Sequence, residues 1–333
     1  MSFFAKAQDL QFSQFYMAPM EQNPALAGAE HDIEANINYR NQWQSVTIPF
    51  RTIAFSYDMR LTKPKENSGY WAAGINFYSD NEGNAQMGTT QGNLSLAYHV
   101  HTGQYSFLGA GVMGGYAQRV VNYGALTWGS QYDGFQYNSG LPGDPVGSTS
   151  KGYIDGSAGV NWCYDNTAGG TNVTGNHDQM ADVGFAMFHV NMPRYSFYGN
   201  NENLYIRYVF HADGLVSVRN TNYAFAPGLL YYRQGTAQEI YVGTLVRYML
   251  QQNSKYTGVF KAAAFSIGGY YRGGDALIAA MLLEYSNYAI GISYDINTSE
   301  LTTASNGRGG FELSLRYVLP NPFTGTGSTK SMF

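Results

Sequence analysis

Polar and apolar residues alternate along most of the chain after residue 32. In the stretches 33–40, 50–61 and 311–319, one parity of positions is almost entirely apolar and the other is polar. A β-strand points successive side chains to opposite faces. Each stretch therefore predicts a strand with one apolar face and one wet face.

The same alternation predicts fourteen strands in all. Nine to eleven tilted residues are enough to cross the hydrocarbon of a bilayer, and the predicted strands have about that length. Bacterial single-chain barrels have even strand numbers, which places both chain ends at one rim, expected to be periplasmic. The predicted strands are 33–40, 50–61, 70–79, 91–101, 104–117, 153–163, 182–191, 203–218, 223–233, 237–249, 260–272, 275–286, 288–297 and 309–319.

Composition separates a membrane barrel from a soluble β-sandwich. Only 13% of the residues are charged, about half the usual share for a soluble domain. Aromatic residues reach 16%, and there are 40 glycines. The longest apolar run, 276–283, is too short for a spanning helix of about 20 residues. The sequence therefore predicts an all-β fold, a transmembrane antiparallel barrel of about 14 strands in a bacterial outer membrane.

The first residues divide into a short leader remnant and a lead-in segment. Ala5-Lys6-Ala7 before Gln8 resembles a signal cleavage site, so 1–7 is interpreted as a residual, truncated leader. Residues 8–32 show no alternation and form a non-strand segment, either a plug in the lumen or a periplasmic stretch. We expect 8–30 to be ordered, because Phe12, Phe15 and Tyr16 are costly to leave in water. The barrel would span 33–319, with a C-terminal tail over 320–333.

Connections of very different length join the predicted strands. Tight turns are expected at Thr102-Gly103 and Ser286-Asn287, with Gly or Asn supplying positive φ. Strand parity places the long connection 118–152 outside the cell and 164–181, unusually, on the periplasmic side. Loops longer than about 15 residues are usually functional or disordered, and 118–152 is too aromatic to favour disorder. It could also be a self-packed cap over the barrel mouth. As partner-binding residues we predict Tyr123, Trp128, Tyr132, Phe135 and Tyr137.

Charged residues within the predicted strands fall on the wet phase and so predict a polar lining of the lumen. They could satisfy one another as cross-strand ion pairs, or they could grip an inserted segment, either the N-terminal stretch or a partner's tail. Besides Glu34, the predicted lining residues are Arg40, Asp58, Arg60, Arg207, Glu284, Asp295, Glu312 and Arg316.

Three groups of motifs, spread in order along the chain, carry a family resemblance. The first group is Gln8-Asp9-Leu10-Gln11-Phe12-Ser13-Gln14-Phe15, Asn23-Pro24-Ala25-Leu26-Ala27-Gly28 and Tyr39-Arg40-Asn41-Gln42-Trp43. The second is Tyr271-Arg272-Gly273-Gly274-Asp275-Ala276. The third is Gly291-Ile292-Ser293-Tyr294-Asp295, Thr298-Ser299-Glu300-Leu301 and Phe311-Glu312-Leu313-Ser314-Leu315-Arg316-Tyr317. Together they resemble the PorP/SprF family of type IX secretion membrane proteins, and the middle of the chain, about 118–200, matches poorly.

The resemblance implies a Bacteroidetes outer-membrane protein in contact with lipid and with other type IX secretion components. SprF-like members are thought to receive the type B C-terminal domain of a secreted adhesin and to aid its export or anchoring, as in gliding motility. The PorP branch associates with periplasmic components. The alternative is a channel or transporter with an N-terminal hatch, and a third reading is a peptidoglycan tether.

Candidate catalytic and metal-binding residues are sparse. His99 and His101 share a strand face but are interpreted as polar residues beside a turn, since zinc sites normally have three or four ligands. His189 and Asn191 are two members of a phospholipase-like Ser/His/Asn set that lacks its serine. Aspartates at 133, 144, 155 and 165 do not have the spacing of a helical calcium loop. Cys163 is a lone thiol. We therefore expect a non-enzymatic protein with no cofactor. With a net charge of −4 and no basic cluster, we also expect no nucleic-acid partner.

Overall fold

The computed structural model describes residues 9–44, 48–62, 69–83, 85–144, 146–166, 179–198, 201–251, 262–299 and 302–319. Fourteen antiparallel strands close into a barrel in which each strand pairs with its neighbours in sequence and the first pairs with the last. They are β1 Ile33–Gln42, β2 Phe50–Arg60, β3 Tyr70–Glu82, β4 Met87–Gly103, β5 Ser106–Val120, β6 Ser150–Asp165, β7 Gln179–Phe188, β8 Arg207–Ser217, β9 Tyr223–Gln234, β10 Ala237–Gln251, β11 Ala263–Arg272, β12 Ala276–Tyr285, β13 Tyr288–Asn297 and β14 Arg308–Leu319.

The barrel confirms the fold predicted from the alternation, and β14 shows why the prediction holds. Phe311, Leu313 and Leu315 point out of the barrel and are exposed, while Glu312 and Ser314 are buried inside it. A shift by one residue would reverse every side chain. Lipid outside and a polar interior thus fix the register of the closing strand.

The two rims of the barrel differ in their connections. β1 begins and β14 ends at one rim, here called the terminal rim, and the opposite rim, the loop rim, carries 121–149 and 189–206. Outer-membrane barrels have short periplasmic turns and longer extracellular loops, so the loop rim is the outer one. Within the described residues, no helix is long and apolar enough to cross a membrane.

Several predicted boundaries differ from the observed ones. The hairpin between β4 and β5 turns at Gln104 and Tyr105, because β4 continues through Gly103. At the other predicted tight turn, Ser286 itself takes the positive φ of +55°. The connection predicted over 118–152 shortens to 121–149, since both flanking strands extend further. The connection predicted over 164–181 does lie on the terminal rim, although residues 167–178 fall outside the described residues.

Candidate partner-binding site and the segment that fills the lumen

Residues 9–32 lie inside the barrel, where they form three short 3-10 turns and contact strands on all sides. Asn23 begins the third turn by accepting the N–H of Ala25 through its side-chain oxygen at 2.9 Å. Phe15 packs edge-on against Tyr241 and Tyr270, with ring centroids 5.9 and 5.2 Å apart. Aromatic side chains of this lead-in are therefore buried within the lumen.

Two buried carboxylates hold the first part of this lumen segment. The backbone N–H groups of Ser13 and Gln14 donate to the two oxygens of Glu312 at 2.6 and 2.9 Å. The Ser13 hydroxyl donates to Asp295 at 2.9 Å. Arg40 lies 3.1 Å from Glu312 and 3.2 Å from Asp295, which balances their charge. Buried charges of this kind are tolerated only when paired and hydrogen-bonded, as they are here.

A second set of contacts holds the segment near the terminal rim. Arg60 donates to the carbonyl oxygens of Gly28 and Ala29 at 2.8 and 2.9 Å. The N–H of Gly28 in turn donates to Asp58 at 2.7 Å. Gly28 has a φ of +64°, and a Cβ there would meet the Ala72 side chain at 2.6 Å. Both the backbone conformation and the lack of space explain glycine at this position.

The third set of contacts holds the segment at the loop rim, where Asp9 enters the lumen. His189, just beyond β7, lies 2.6 Å from Asp9 and 2.9 Å from Asp155. Burial by itself would lower the pKa of His189, because it disfavours the charged imidazole. The two carboxylates have the larger combined effect and raise this pKa to about 9. Arg207 adds a bond to the carbonyl of Glu21 at 2.9 Å. The segment thus runs through the barrel from the loop rim at Asp9 to the terminal rim at Asp32.

All eight predicted lining residues face the lumen, but they have two different roles. Arg247 and Glu284 pair with each other at 2.6 Å across the wall. Arg316 pairs with Glu34 at 3.2 Å and also donates to the carbonyl of Tyr16. Seven of the predicted residues contact the segment or pair with a residue that does: Arg40, Asp58, Arg60, Arg207, Asp295, Glu312 and Arg316.

Sequence reasoning missed further residues that hold the segment. Arg272 bonds to Asp295 at 2.9 Å and to the Ser13 hydroxyl at 3.3 Å. His99 bonds to the carbonyl of Ala27 at 2.8 Å and stacks on Tyr70, so its interpretation as a turn residue is wrong. His211 lies 3.1 Å from the Asn23 amide. Their position on the wet phase of their strands was the available signal.

The loop 121–149 holds the five predicted aromatic residues above the loop rim. Tyr123 and Trp128 pack on each other with ring centroids 6.3 Å apart, whereas Tyr132, Phe135 and Tyr137 are exposed, Phe135 at 94%. Asp133 orders the tip by accepting the N–H groups of Gln136 and Phe135, both at 2.9 Å, and these bonds lower the pKa of Asp133. The tip therefore presents apolar surface on an ordered backbone.

The remaining candidate catalytic and calcium-binding residues have other positions and contacts in the structure. The Asn191 side chain bonds to the backbone of Gly156 and Ile154 and does not join His189 in a catalytic set. Asp155 and Asp165 belong to β6 and do not lie in outer loops, as a calcium site would have required. Cys163 is buried.

One cluster of two glutamates and a histidine has its side-chain ligand atoms close enough together to bind a cation. Glu30, His31 and Glu34 bring one ligand atom each to within 4.8 Å of one another at the terminal rim. Glu34 is already paired with Arg316.

Sequence comparison decides the family. A family model described as "Type IX secretion system membrane protein PorP/SprF" matches residues 4–317. The chain belongs to the PorP/SprF family. No curated protein matches the sequence. As a PorP/SprF protein with a closed membrane barrel, it is an outer-membrane component of type IX secretion.

Solved barrels of other families resemble this PorP/SprF protein at low identity. The TodX monoaromatic hydrocarbon channel, in a deltaS2S3 mutant form, is 9% identical with a TM-score of 0.52, over 91% of this chain and 94% of that one. The CymD monoaromatic hydrocarbon channel is 10% identical with a TM-score of 0.46, over 92% and 93%. CdiB from Acinetobacter baumannii is 8% identical with a TM-score of 0.41, over 86% of this chain and 60% of CdiB. The likeness to TodX shows a shared fold and nothing of function.

Proposed function

We propose that this PorP/SprF barrel binds the type B C-terminal domain of a secreted adhesin at its loop rim and so aids the export or anchoring of that adhesin. The observation that carries the proposal is the filled lumen. Residues 9–32 occupy the interior and are held by paired charges at three levels. Because this segment fills the lumen, the rim is the surface that a folded partner can reach.

The composition of the loop rim supports the same proposal. Phe135, Tyr137 and Tyr132 stand exposed on 121–149, and Tyr198 and Tyr205 are exposed on 189–206. Tyrosine offers a large contact area at a low cost in side-chain entropy. Since charged residues are depleted at the centres of protein interfaces, a rim rich in aromatic residues suits recognition of a protein.

Binding can be tested with the purified barrel in detergent and a recombinant type B C-terminal domain encoded in the same genome. We expect a saturable complex by surface plasmon resonance, and deletion of 123–146 should abolish it while the barrel stays heat-modifiable on gels. In cells, the deletion should stop surface retention of the adhesin. Normal display of the adhesin by the deletion variant would remove this loop from the mechanism.

A second candidate function is a diffusion channel in which residues 9–32 act as a hatch. Its support is the same segment, which fills the lumen and contacts the barrel wall there through hydrogen bonds, ion pairs and ring packing. Planar-bilayer conductance separates the two functions. The adhesin receptor should stay closed with the segment present, whereas a channel should open and close reversibly under a modest potential.

A further inference from the structure

At the loop rim, β6 extends further than the neighbouring strand β7. β6 begins at Ser150, but its pairing with β7 begins only at Ala158 and Met187. On its other side, β6 pairs with β5 from Ser150 onward. Among the described residues, the outer part of β6 therefore has a neighbouring strand on one side only.

Two hydrogen bonds fix the direction of the backbone groups in this part of β6. The N–H of Val121 donates to the carbonyl of Thr149 at 3.0 Å, on the β5 side. The N–H of Val190 donates to the carbonyl of Gly156 at 2.9 Å, on the β7 side. Because successive residues of a strand point their backbone groups to opposite sides, the even-numbered residues of 150–156 face the missing neighbour.

Both ends of this stretch are closed, and its middle is open. Asn191 bonds to the N–H of Gly156 at 3.1 Å and to the carbonyl of Ile154 at 2.7 Å. Above it, the N–H of Ser148 donates to the carbonyl of Phe197 at 2.9 Å. Between them, the N–H of Ile154 and both backbone groups of Gly152 have no partner within the described part of the chain. Residues 150–155 are called the open edge below.

The loop that replaces the upper part of β7 turns away from the open edge. Its residues Tyr195 and Phe197 pack on the guanidinium of Arg119 at 5.0 and 5.9 Å, and Arg119 lies on β5 at the lumen mouth. The Ile154 side chain, which points outward from the open edge, is left 72% exposed. The exposed backbone groups and the apolar side chain therefore face the same outer space.

We propose that the open edge is a strand-addition site that takes an extended segment of the secreted partner polypeptide. The inference rests on the proposed function and specifies how that partner is bound. Alternating N–H and C=O groups at strand spacing are matched best by another polypeptide backbone, and unpaired strand edges are templates for such pairing. Ile154 and the neighbouring Tyr116 would contact alternate side chains of the added segment, which favours apolar or β-branched residues there.

A second copy of this chain does not fit the open edge. Two copies in one membrane are related by an axis along the membrane normal. Strands in such barrels tilt by about 35–45° from that axis. Two β6 strands related by the axis would therefore cross each other at a steep angle and could not pair. The occupant is therefore a different chain, reaching the edge from the outer surface.

The test removes one backbone donor from the open edge. Ile154→Pro deletes the N–H that faces the partner but leaves the β5 ladder intact, because odd-numbered residues make that ladder. Proline is tolerated at strand edges of this kind. With the recombinant type B domain as the probe, we expect affinity to fall at least tenfold in Ile154→Pro and to stay within twofold in the matched control Ile154→Val.

The outcomes distinguish this inference from the proposed function. If the wild-type barrel does not bind the domain, the proposed function fails and this inference with it. If the wild type and Ile154→Pro bind equally, strand addition is overturned while the proposed function stands. Dimerisation of the wild type that Ile154→Pro abolishes would also overturn it. Should Ile154→Pro fail to fold, hydrogen exchange of 150–156 in the wild type decides, with protection on binding expected and unchanged exchange counting against the proposal.

Discussion

The backbone N–H of Ser13 donates to the Glu312 carboxylate at 2.6 Å, joining the lumen segment to the last strand across 299 positions of sequence. The same carboxylate pairs with Arg40 on the first strand. A hydrogen bond to a charged group contributes about 1.5–3 kcal/mol. This contact therefore connects the position of the segment to the strands that close the barrel.

Replacing Glu312 with Gln should loosen the segment. The amide keeps the shape of the side chain but loses the charge that accepts from Ser13 and Gln14 and pairs with Arg40. We expect faster hydrogen exchange over 11–16 and more frequent open events in planar bilayers. Glu284→Gln is the matched control, because Glu284 pairs with Arg247 on the wall. Equal exchange in both variants would show that Glu312 does not hold the segment.

Leu315→Arg should impair folding of the barrel. Leu315 faces outward on β14, and a cation on the lipid face costs about 2–4 kcal/mol near the midplane. The heat-modifiable band on gels should weaken, whereas Leu315→Val should leave it unchanged. Ser314→Arg should also fail, because Ser314 is buried and accepts a bond from Asn38 at 2.9 Å. Wild-type folding of Leu315→Arg would contradict a lipid-facing position.

Asp9→Asn should lower the pKa of His189 towards its ordinary value near 6.5. The folded pKa is raised to about 9, so the pair stabilises the protein fully below pH 6.5 and loses that contribution as pH rises through about 9. We expect the His189 ring of the wild type to titrate near pH 9 by NMR. The difference in stability between the wild type and Asp9→Asn should shrink over the same range. A His189 titration near 6.5 in the wild type would rule out the pair.

Phe135→Asp together with Tyr137→Asp should weaken binding of the type B domain by about tenfold or more. Both side chains are exposed at the tip of 121–149, so the barrel should fold normally. Truncation of an aromatic hot-spot residue at an interface centre costs about 2 kcal/mol or more. Tyr205→Asp makes the same kind of change on the other exposed loop of the rim. If only Tyr205→Asp lost affinity in surface plasmon resonance, contact would lie on 189–206 instead.

Sequence could predict the strands because a strand with lipid on one face and a polar lumen on the other alternates with a period of two. It also placed Glu312 and Arg316 in the lumen, since both fall on the wet phase. It could not pair Ser13 with Glu312 or Asp9 with His189, because each pair joins an aperiodic segment to a distant strand or rim. Such contacts depend on how the closed barrel surrounds the segment, which alternation does not encode.

The seam between β1 and β14 has a consequence for biogenesis. Arg40 reaches Glu312 and Glu34 reaches Arg316 across this seam, and the same two β14 side chains bond to residues 13–16 of the segment. The first and last strands therefore meet around a peptide segment that both of them contact. We therefore expect the amino-terminal segment to enter the barrel as its first and last strands pair, because the side chains that hold the segment also join the seam.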